Sequence, residues 1–316
     1  KGLRLFADLQ YRYVSYQAWG VNDNYVSEEV GMQPINVDKQ YHFFNPRAGV
    51  SYTLAERNNF YLSFAVAQKE PTRSDFTDRY KFAADDTYPS SEKLYDWELG
   101  YQYTAPRLSL GVNLYYMKYK DQLVPTGMVN DDSNALNTNV PDSYRRGVEL
   151  SASWRATGWF TVGANATFSQ NRIENYVDAL KDSPTYGKEL GDMTIAYSPD
   201  VIANAFLNFH HRGFEAVFHT QHVGKQYFTN NENDALSLDA YCVTNLNLAY
   251  TFRTRSARSV RLGLLINNLF NAEYESNGYG YSYMDTWSGP APVRIDEAYY
   301  FPQAPLNVLA NVTVKF

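Results

Sequence analysis

The C-terminal segment alternates apolar and polar side chains with a period of two residues. From Leu306 to Phe316 an apolar side chain occupies every second position, Asn307 and Asn311 lie between them, and Leu309 is the one apolar exception. Because successive side chains of a β-strand point to opposite faces of a sheet, this pattern predicts a strand with one apolar and one polar face. The segment ends on an aromatic residue that belongs to the apolar face.

The same alternation recurs along the whole chain and predicts twelve strands. The predicted strands are 2–17, 41–54, 59–69, 92–104, 107–120, 144–155, 159–173, 199–210, 214–227, 240–252, 260–274 and 305–316. The eighth is the least regular, since Ile202 and Phe206 share a face with Asn204 and Asn208. One supersecondary unit, the antiparallel hairpin, therefore accounts for the chain.

The connections between these strands alternate in length. Short turns are predicted at 55–58, 105–106, 157–158, 211–213 and 253–259. Long loops are predicted at 18–40, 70–91, 121–143, 174–198, 228–239 and 275–304. Short turns at one end and long loops at the other are typical of transmembrane β-barrels, whose short turns face the periplasm. The fold class predicted is all-β, an antiparallel transmembrane β-barrel with twelve visible strands.

Composition agrees with a barrel wall and excludes several other classes. The mean hydropathy is −0.48, and no segment approaches the roughly 20 consecutive apolar residues of a spanning helix. Tyrosine is in excess, with 28 residues against 18 phenylalanines, and it suits strands and membrane–water interfaces. The net charge of −6 does not suggest a nucleic-acid partner, and the single Cys242 excludes an internal disulfide.

Two segments carry a resemblance to a known family. The alternation breaks at Asn268, as it does at a β-bulge, and the segment 266–274 resembles the Asn-Leu-Phe-Asn/Asp-x-x-Tyr motif near the C-terminus of TonB-dependent outer-membrane receptors. In that family the motif lies in the penultimate strand, before one long loop and a last strand that ends in Phe, here Phe316. The segments 68–76 and 92–100 are similar to a Pro-containing stretch and a Glu-x-x-x-x-Trp/Tyr-Glu-Leu-Gly strand of the same family. The residues that match the motif are Asn268, Leu269, Phe270, Asn271 and Tyr274.

The resemblance implies a 22-stranded barrel with an N-terminal plug domain and a segment that binds the energy-coupling protein TonB. This chain begins inside a predicted strand, without a signal peptide. We therefore expect residues 1–316 to be the C-terminal portion of the barrel, with the plug and the first strands absent and with the first and last strands unpaired with each other. We expect six charged residues to line the polar inner face and to contact a plug or water. They are Arg4, Arg12, Arg47, Glu98, Glu149 and Arg261.

The function implied by the resemblance is import, not catalysis, across the outer membrane of a Gram-negative bacterium. The expected ligand is a scarce, large nutrient such as a ferric siderophore or other iron chelate, with cobalamin, haem and oligosaccharide as alternatives. The implied partners are outer-membrane lipid, TonB through the missing N-terminal part, the ligand and a surface lipoprotein. No cofactor is expected. Two other readings are a complete 12-stranded passive pore and an outer-membrane barrel hydrolase.

Candidate ligand-binding residues lie in two long loops. A cation next to an aromatic platform suits an anionic, partly planar chelate, and solvated charges with ordinary loop packing are the plainer alternative. The candidates are Arg73, Arg79, Tyr279, Tyr281, Tyr283 and Trp287. His219 and His222 are expected on opposite faces of one strand, which argues against a shared metal site. The run 130–134 offers oxygen ligands for Ca²⁺, but a solvated turn fits it as well.

Overall fold

The computed structural model describes residues 2–29, 31–77, 88–129 and 135–316, and over these residues the chain is almost entirely β-structure. The strands are β1 Leu3–Ser27, β2 Gly31–Leu54, β3 Asn58–Lys69, β4 Glu92–Thr104, β5 Leu108–Val129, β6 Ala135–Arg155, β7 Phe160–Ile173, β8 Met193–Thr194, β9 Val201–His211, β10 Phe214–Val223, β11 Gln226–Tyr227, β12 Ser237–Leu238, β13 Tyr241–Phe252, β14 Ser259–Asn267, β15 Glu275–Asp285, β16 Val293–Pro302 and β17 Asn307–Lys315. A short helix α1 spans Arg73–Thr77, and a 3₁₀-helix spans Asp234–Leu236.

Twelve long strands form one antiparallel sheet in the order β1-β2-β3-β4-β5-β6-β7-β9-β10-β13-β14-β17. The short β8 pairs with β7, and β11–β12 and β15–β16 form two separate two-stranded sheets. In the part of the chain that the structure describes, β1 pairs only with β2 and β17 pairs only with β14. The expectation that the first and last strands do not pair is therefore confirmed for these residues.

The register aligns the apolar positions of neighbouring strands into continuous rows. Leu62 pairs with Leu99, Leu99 with Leu114, and Leu114 with Val148. The preceding position of β4, Glu98, belongs to a row on the opposite face of the sheet. The predicted antiparallel wall, with one apolar and one polar face, is confirmed.

The last two wall strands explain the exception in the C-terminal alternation. Leu262 pairs with Val312 on the apolar face, whereas Arg261 pairs with Thr313 on the polar face. Leu309 also lies on the polar face, directly opposite Leu265 of β14. Cross-strand apolar neighbours shield each other from water, so the exception is one half of an apolar pair.

Two regions predicted as long loops are strands, and those predictions were wrong. Residues 18–27 and 31–40 continue the β1–β2 hairpin, and residues 121–129 and 135–143 belong to β5 and β6. Hydrogen-bonded pairs such as Gln17 with Asp38 continue the ladder with polar side chains. The backbone ladder persists although the apolar alternation stops, and Val37, Val124 and Val140 in these extensions are buried.

The region around the family motif also differs from its prediction. β14 ends at Asn267 instead of running to 274, and Asn268 and Asn271 adopt left-handed backbone conformations with φ of 51° and 52°. Asn tolerates this conformation better than most residues. Because β14 ends at Asn267, the break in alternation is a strand end and not a bulge. The predicted loop 275–304 contains the β15–β16 hairpin.

Most of the fully buried side chains lie near the loop end of the sheet. One cluster is formed by Val124, Val140, Ile173, Tyr176 and Ile195. A second is formed by Phe228, Leu236 and Leu238. The apolar face of the sheet is exposed, as shown by Leu5 and Val312, whose side chains are 75% and 65% exposed. Within the described residues, none of the helices is long and apolar enough to cross a membrane.

Candidate ligand-binding site

Three of the predicted site residues lie on one face of the β15–β16 hairpin. Tyr279 pairs with Tyr299, Tyr281 with Glu297, and Tyr283 with Ile295. Directly paired residues in an antiparallel ladder share a face, so the three tyrosines of β15 meet the side chains of Tyr299 and Glu297. The residues between them form the opposite face of the hairpin.

The opposite face packs on the segment 226–238 and fixes the hairpin there. Gly278 and Gly280 allow this contact: a Cβ on Gly278 would lie 2.7 Å from Cζ of Phe228, and one on Gly280 would lie 2.9 Å from Cδ2 of Leu236. Met284 of the same face is 9% exposed. The glycines therefore admit the Phe228 and Leu236 side chains against the hairpin backbone, which leaves the tyrosine face turned away from the protein.

A polar group on the packed face holds the two strands in register. The Ser282 hydroxyl donates to Oδ1 of Asp296 over 2.6 Å, and Nε of Arg294 donates to the same oxygen over 2.9 Å. Burial alone would raise the pKa of Asp296, but these two donors outweigh it and hold the pKa below its usual value. The Arg294 charge is consequently compensated on the packed face.

The tyrosine face presents a continuous aromatic surface. The rings of Tyr279 and Tyr299 stack with centroids 4.9 Å apart and an interplanar angle of 14°. The ring of Tyr281 lies 6.3 Å from that of Tyr299 and 6.4 Å from that of Tyr283. Tyr279, Tyr283 and Tyr299 are exposed at 46%, 37% and 43%, so a ligand can reach this surface.

Glu297 lies at the centre of this aromatic surface. Its Oε2 accepts hydrogen bonds of 2.7 Å from the hydroxyls of Tyr281 and Tyr299, and its Oε1 accepts one of 3.2 Å from Tyr283. The Tyr281 and Tyr299 donors hold the pKa of Glu297 below its usual value, and the Glu297 carboxylate in turn raises the pKa of Tyr281. At neutral pH the group is a carboxylate surrounded by three neutral phenols.

The remaining candidates, Arg73, Arg79 and Trp287, are not part of the tyrosine face. Arg73 is exposed in α1, where Phe76 packs its ring 5.1 Å from that of Tyr16. α1 thus packs against the β1 side of the sheet, whereas the tyrosines pack with 226–238. Arg79 lies outside the described residues. Trp287, in the turn between β15 and β16, is 82% exposed.

The segments beneath the hairpin are joined by buried polar contacts. Asn230, fully buried, donates through Nδ2 to the Pro125 carbonyl over 2.6 Å and accepts from the Ala196 N–H over 2.7 Å. Arg172 pairs with Glu232, which also accepts from the Thr194 N–H over 3.0 Å. These bonds connect β5, β7 and two loops under the site.

Sequence reasoning missed the residues that organise this site. Glu297 and Tyr299 fell within a predicted loop, and Phe228 and Asn230 gave no periodic signal. One signal was available, because Tyr279, Tyr281 and Tyr283 alternate with small or flexible residues, a period-two pattern that predicts a strand. The partner strand could then have been sought later in the same loop.

The family motif has a structural position at the end of β14. Asn268 is 3% exposed, and its Oδ1 accepts from the Ala272 N–H over 2.8 Å while its Nδ2 donates to the Ala272 carbonyl over 2.8 Å. Leu269 donates its N–H to the Thr244 carbonyl over 2.7 Å. The motif therefore closes a compact turn and attaches it to β13.

The rest of the motif connects this turn to neighbouring segments. Oδ1 of Asn271 accepts from the Leu306 N–H over 2.8 Å, which fixes the start of the last strand. The Tyr274 ring stacks on Tyr241 at 4.6 Å. Phe270 and Phe316 are exposed at 76% and 93%, so neither contributes to a core within this chain.

The polar face of the wall holds the six charged residues that were expected there. Arg47 pairs with Asp8 at 2.7 Å, and Arg261 with Glu215 at 2.7 Å. The Asn113 amide donates to Glu149 over 3.2 Å beside a cavity of about 330 Å³. The register places the other three, Arg4, Arg12 and Glu98, on the same face of the sheet as Arg47, Glu149 and Arg261.

Histidine and acidic clusters do not form a metal site in the described residues. His219 pairs with Asn245 and His222 with Cys242, so the two histidines point to opposite faces as predicted. Groups of three or more His, Cys, Asp or Glu side chains that could hold a metal ion are absent from the described ranges. The run 130–134, considered for Ca²⁺, lies outside them.

Comparison with known proteins relates the chain to one receptor family. A family model described as "TonB dependent receptor-like, beta-barrel" matches residues 2–269. The ferric-catecholate import receptor Fiu from E. coli K12 is 18% identical with a TM-score of 0.66, and the match covers 99% of this chain and 42% of Fiu. The ferric yersiniabactin uptake receptor FyuA from Yersinia pestis is 17% identical with a TM-score of 0.69, over 100% of this chain and 43% of FyuA.

A third similar structure differs in its cargo. The copper transporter OprC is 17% identical with a TM-score of 0.69, and the match covers 99% of this chain and 45% of OprC. At these identities the likeness establishes the fold. The chain spans less than half the length of each of these three proteins.

Proposed function

Because the chain belongs to the TonB-dependent receptor β-barrel family, we propose that it is the C-terminal portion of an outer-membrane receptor that imports an iron chelate. The observation that carries the proposal is a twelve-stranded sheet with one apolar and one polar face, capped at one end by packed loops. The iron receptors Fiu and FyuA, which share this fold, support the choice of cargo. The protein acts by binding and transport, without a catalytic step.

In this proposal each part of the chain has a distinct role. The apolar face contacts outer-membrane lipid, since pairing within the wall satisfies the backbone polar groups there. The polar face, with Glu98, Glu149 and Arg145 around one cavity, contacts the plug that the missing N-terminal part supplies. That part also carries the segment that binds TonB, and a surface lipoprotein is a further partner.

The tyrosine face of the β15–β16 hairpin is the proposed ligand contact. It is supported by the exposed, stacked rings of Tyr279 and Tyr299 on a hairpin that packing holds in place. Trp287 at the tip, and Arg73 and Arg79 in the loop after β3, are further proposed contacts. Deleting 278–289 would test this poorly, because it would also remove the packed face over Phe228. Replacing exposed side chains one at a time avoids that damage.

A growth experiment tests the function. Deleting the gene should abolish growth on one ferric siderophore as sole iron source, and re-expression should restore it. Uptake should stop in a strain that lacks TonB. If the deletion strain grows normally on every ferric chelate but poorly on cobalamin, haem or an oligosaccharide, that nutrient is the ligand and the iron chelate is not. Uptake that does not require TonB would favour the passive pore.

A second test concerns the extent of the protein. The coding sequence upstream of residue 1 should encode a plug and about ten further strands, which would complete the 22 strands of large outer-membrane transporters. An upstream stop codon with a start codon at the first strand would contradict this. A barrel hydrolase would instead show ester cleavage by the purified protein, and we expect none.

A further inference from the structure

The hydrogen bonds on the hairpin restrict what its tyrosine face can bind. An ionised carboxylate only accepts hydrogen bonds, so Tyr281, Tyr283 and Tyr299 must each donate a hydroxyl proton to Glu297. A phenol has one proton to donate. All three phenols therefore have their donors engaged, and the oxygens of the exposed Tyr283 and Tyr299 retain acceptor capacity.

The face consequently offers acceptors without matching donors. A carboxylate has about four lone-pair sites, of which Glu297 uses three. Its remaining site and the three phenol oxygens lie together within a few ångströms on one side of the hairpin. A ligand can add hydrogen bonds here only by donating them. A carboxylate or catecholate ligand would displace existing bonds and would face a like charge.

The local charge favours the same kind of ligand. Glu297 stays ionised because three phenols donate to it, and the nearest compensating cation on the hairpin, Arg294, is held by Asp296 on the packed face. The tyrosine rings add negative quadrupole faces, to which ammonium groups are attracted within about 6 Å. The stacked rings of Tyr279 and Tyr299 provide such faces beside the carboxylate.

We propose that the exposed Tyr279–Tyr299 face of the β15–β16 hairpin binds the primary ammonium group of a cationic ligand through Glu297 and the surrounding phenols. The inference rests on the proposed function, since it specifies the cargo as a chelate that carries a free amine. It revises the expectation of an anionic chelate for this hairpin. The negative charge of Glu297 favours a cationic ligand over a neutral or an anionic one. The test below distinguishes these ligand classes.

The test compares two chelates that differ in one charge. A linear ferric trihydroxamate with a pendant primary amine and its N-acetylated twin are titrated against the intact receptor in detergent. 1,5-diaminopentane is titrated as an iron-free probe, with 1,5-pentanediol as its neutral match. The amine chelate should bind about five- to tenfold tighter than its twin, as expected for an exposed cation–π contact together with a surface ion pair.

Variants identify the source of the preference. Glu297→Gln keeps an acceptor oxygen but removes the charge, and it should abolish the preference for the amine. Glu189→Gln removes the same charge from another exposed loop and should leave the preference intact. Tyr281→Phe, which keeps the ring but frees one carboxylate site, should preserve most of it. Circular dichroism and heat-modifiable gel mobility confirm that each variant is folded.

The outcomes separate this inference from the proposed function. Equal affinity for the two chelates, or a preference that survives Glu297→Gln, would overturn the ammonium site while the iron-chelate function stands. Binding of the diamine without binding of either chelate would support the ammonium site and exclude a trihydroxamate cargo, and the growth experiment would then decide separately on iron import. No binding of any amine probe would overturn the ammonium site.

Discussion

The wall and the loop region above it are built on opposite principles. In the wall, apolar side chains such as Leu5, Leu9 and Val312 are 65–75% exposed, and regular backbone pairing defines the structure. In the loop region Ile173, Phe228 and other apolar side chains are buried, and regular pairing is interrupted. A surface that meets lipid needs no apolar core, whereas segments in water need one.

The difference determines where stability comes from and where specificity can be placed. A wall position is constrained by the strand register and by the polarity of its face. Any side chain of that polarity can occupy it. Loop residues are constrained by individual contacts, such as the close approach of Phe228 to Gly278. A regular wall with a separately packed loop cluster can therefore change the proposed ligand surface without changing the paired strands.

The strongest way to separate the two regions is to remove the central ring of the loop cluster. Phe228→Ala should lower the local stability of 226–238 and of the β15–β16 hairpin by about 3–5 kcal/mol, because a fully buried aromatic leaves a cavity. Hydrogen exchange of these segments should increase, and wall amides should keep their protection. A matching loss of protection in β9 and β10 would show that loops and wall unfold together.

The second largest effect is expected within the wall itself. Val312→Arg should cost about 2–4 kcal/mol if the site is near the bilayer midplane, whereas Thr313→Arg, on the polar face opposite Arg261, should cost far less. Refolding titrations into lipid vesicles measure both. Arg substitutions at successive positions of a loop should not alternate between high and low cost in this way. Equal costs for the two variants would show that the register of this strand is wrong.

A smaller effect of acid is expected at Glu232 in the loop region. Burial would raise the pKa of Glu232, but hydrogen bonds from Thr194 and the charge of Arg172 outweigh it and lower the pKa. The stabilisation is therefore present above the unfolded value of about 4.3 and is lost as pH falls through the lower folded pKa. Glu232→Gln should cost about 1 kcal/mol at pH 7, since Glu232 is partly exposed.

Limited proteolysis of the loops measures this effect. Wild type and Glu232→Gln should differ at pH 7 and converge as the pH falls through the folded pKa of Glu232, which lies below its usual value. Cleavage of the wall should not differ between the two proteins at any pH. A difference that grows on acidification would contradict the direction of the pKa shift.

The smallest effect is expected at the tip of the hairpin. Trp287→Ala should change the stability of the protein by less than about 0.5 kcal/mol, because the side chain is 82% exposed. Thermal unfolding should be unchanged, and any loss of ligand affinity can then be assigned to a lost contact. A clear fall in the melting temperature would show that Trp287 packs against the cluster.

The sequence predicted the wall because lipid imposes a pattern on it. Strand β4 was predicted with its observed ends, and the short turns fell where the structure has them. Towards the loop end of the sheet the pattern stops, so the extensions of β1, β2, β5 and β6 were not predicted. Pairing there depends on strands already aligned by the wall, which no local period reveals.

The candidate site was predicted only in part, for a related reason. Tyr279, Tyr281 and Tyr283 were identified by their type and spacing, but their arrangement depends on Glu297, which lies 14 residues from Tyr283. The anchoring glycines owe their role to Phe228 in a different loop. Contacts between loops distant in sequence leave no periodic trace, so a residue list could be proposed but not its chemistry.

The order of strands in the sheet also bears on how the protein is made. Each long strand lies beside the strand that precedes it in the chain, so each pairing closes only one loop and carries a small entropic cost. The sheet can thus assemble by sequential pairing of neighbouring strands, starting from either end. Two polypeptides cut at the exposed turn Thr157-Gly158 should then recombine in a bilayer, which would allow each half to be isotopically labelled on its own.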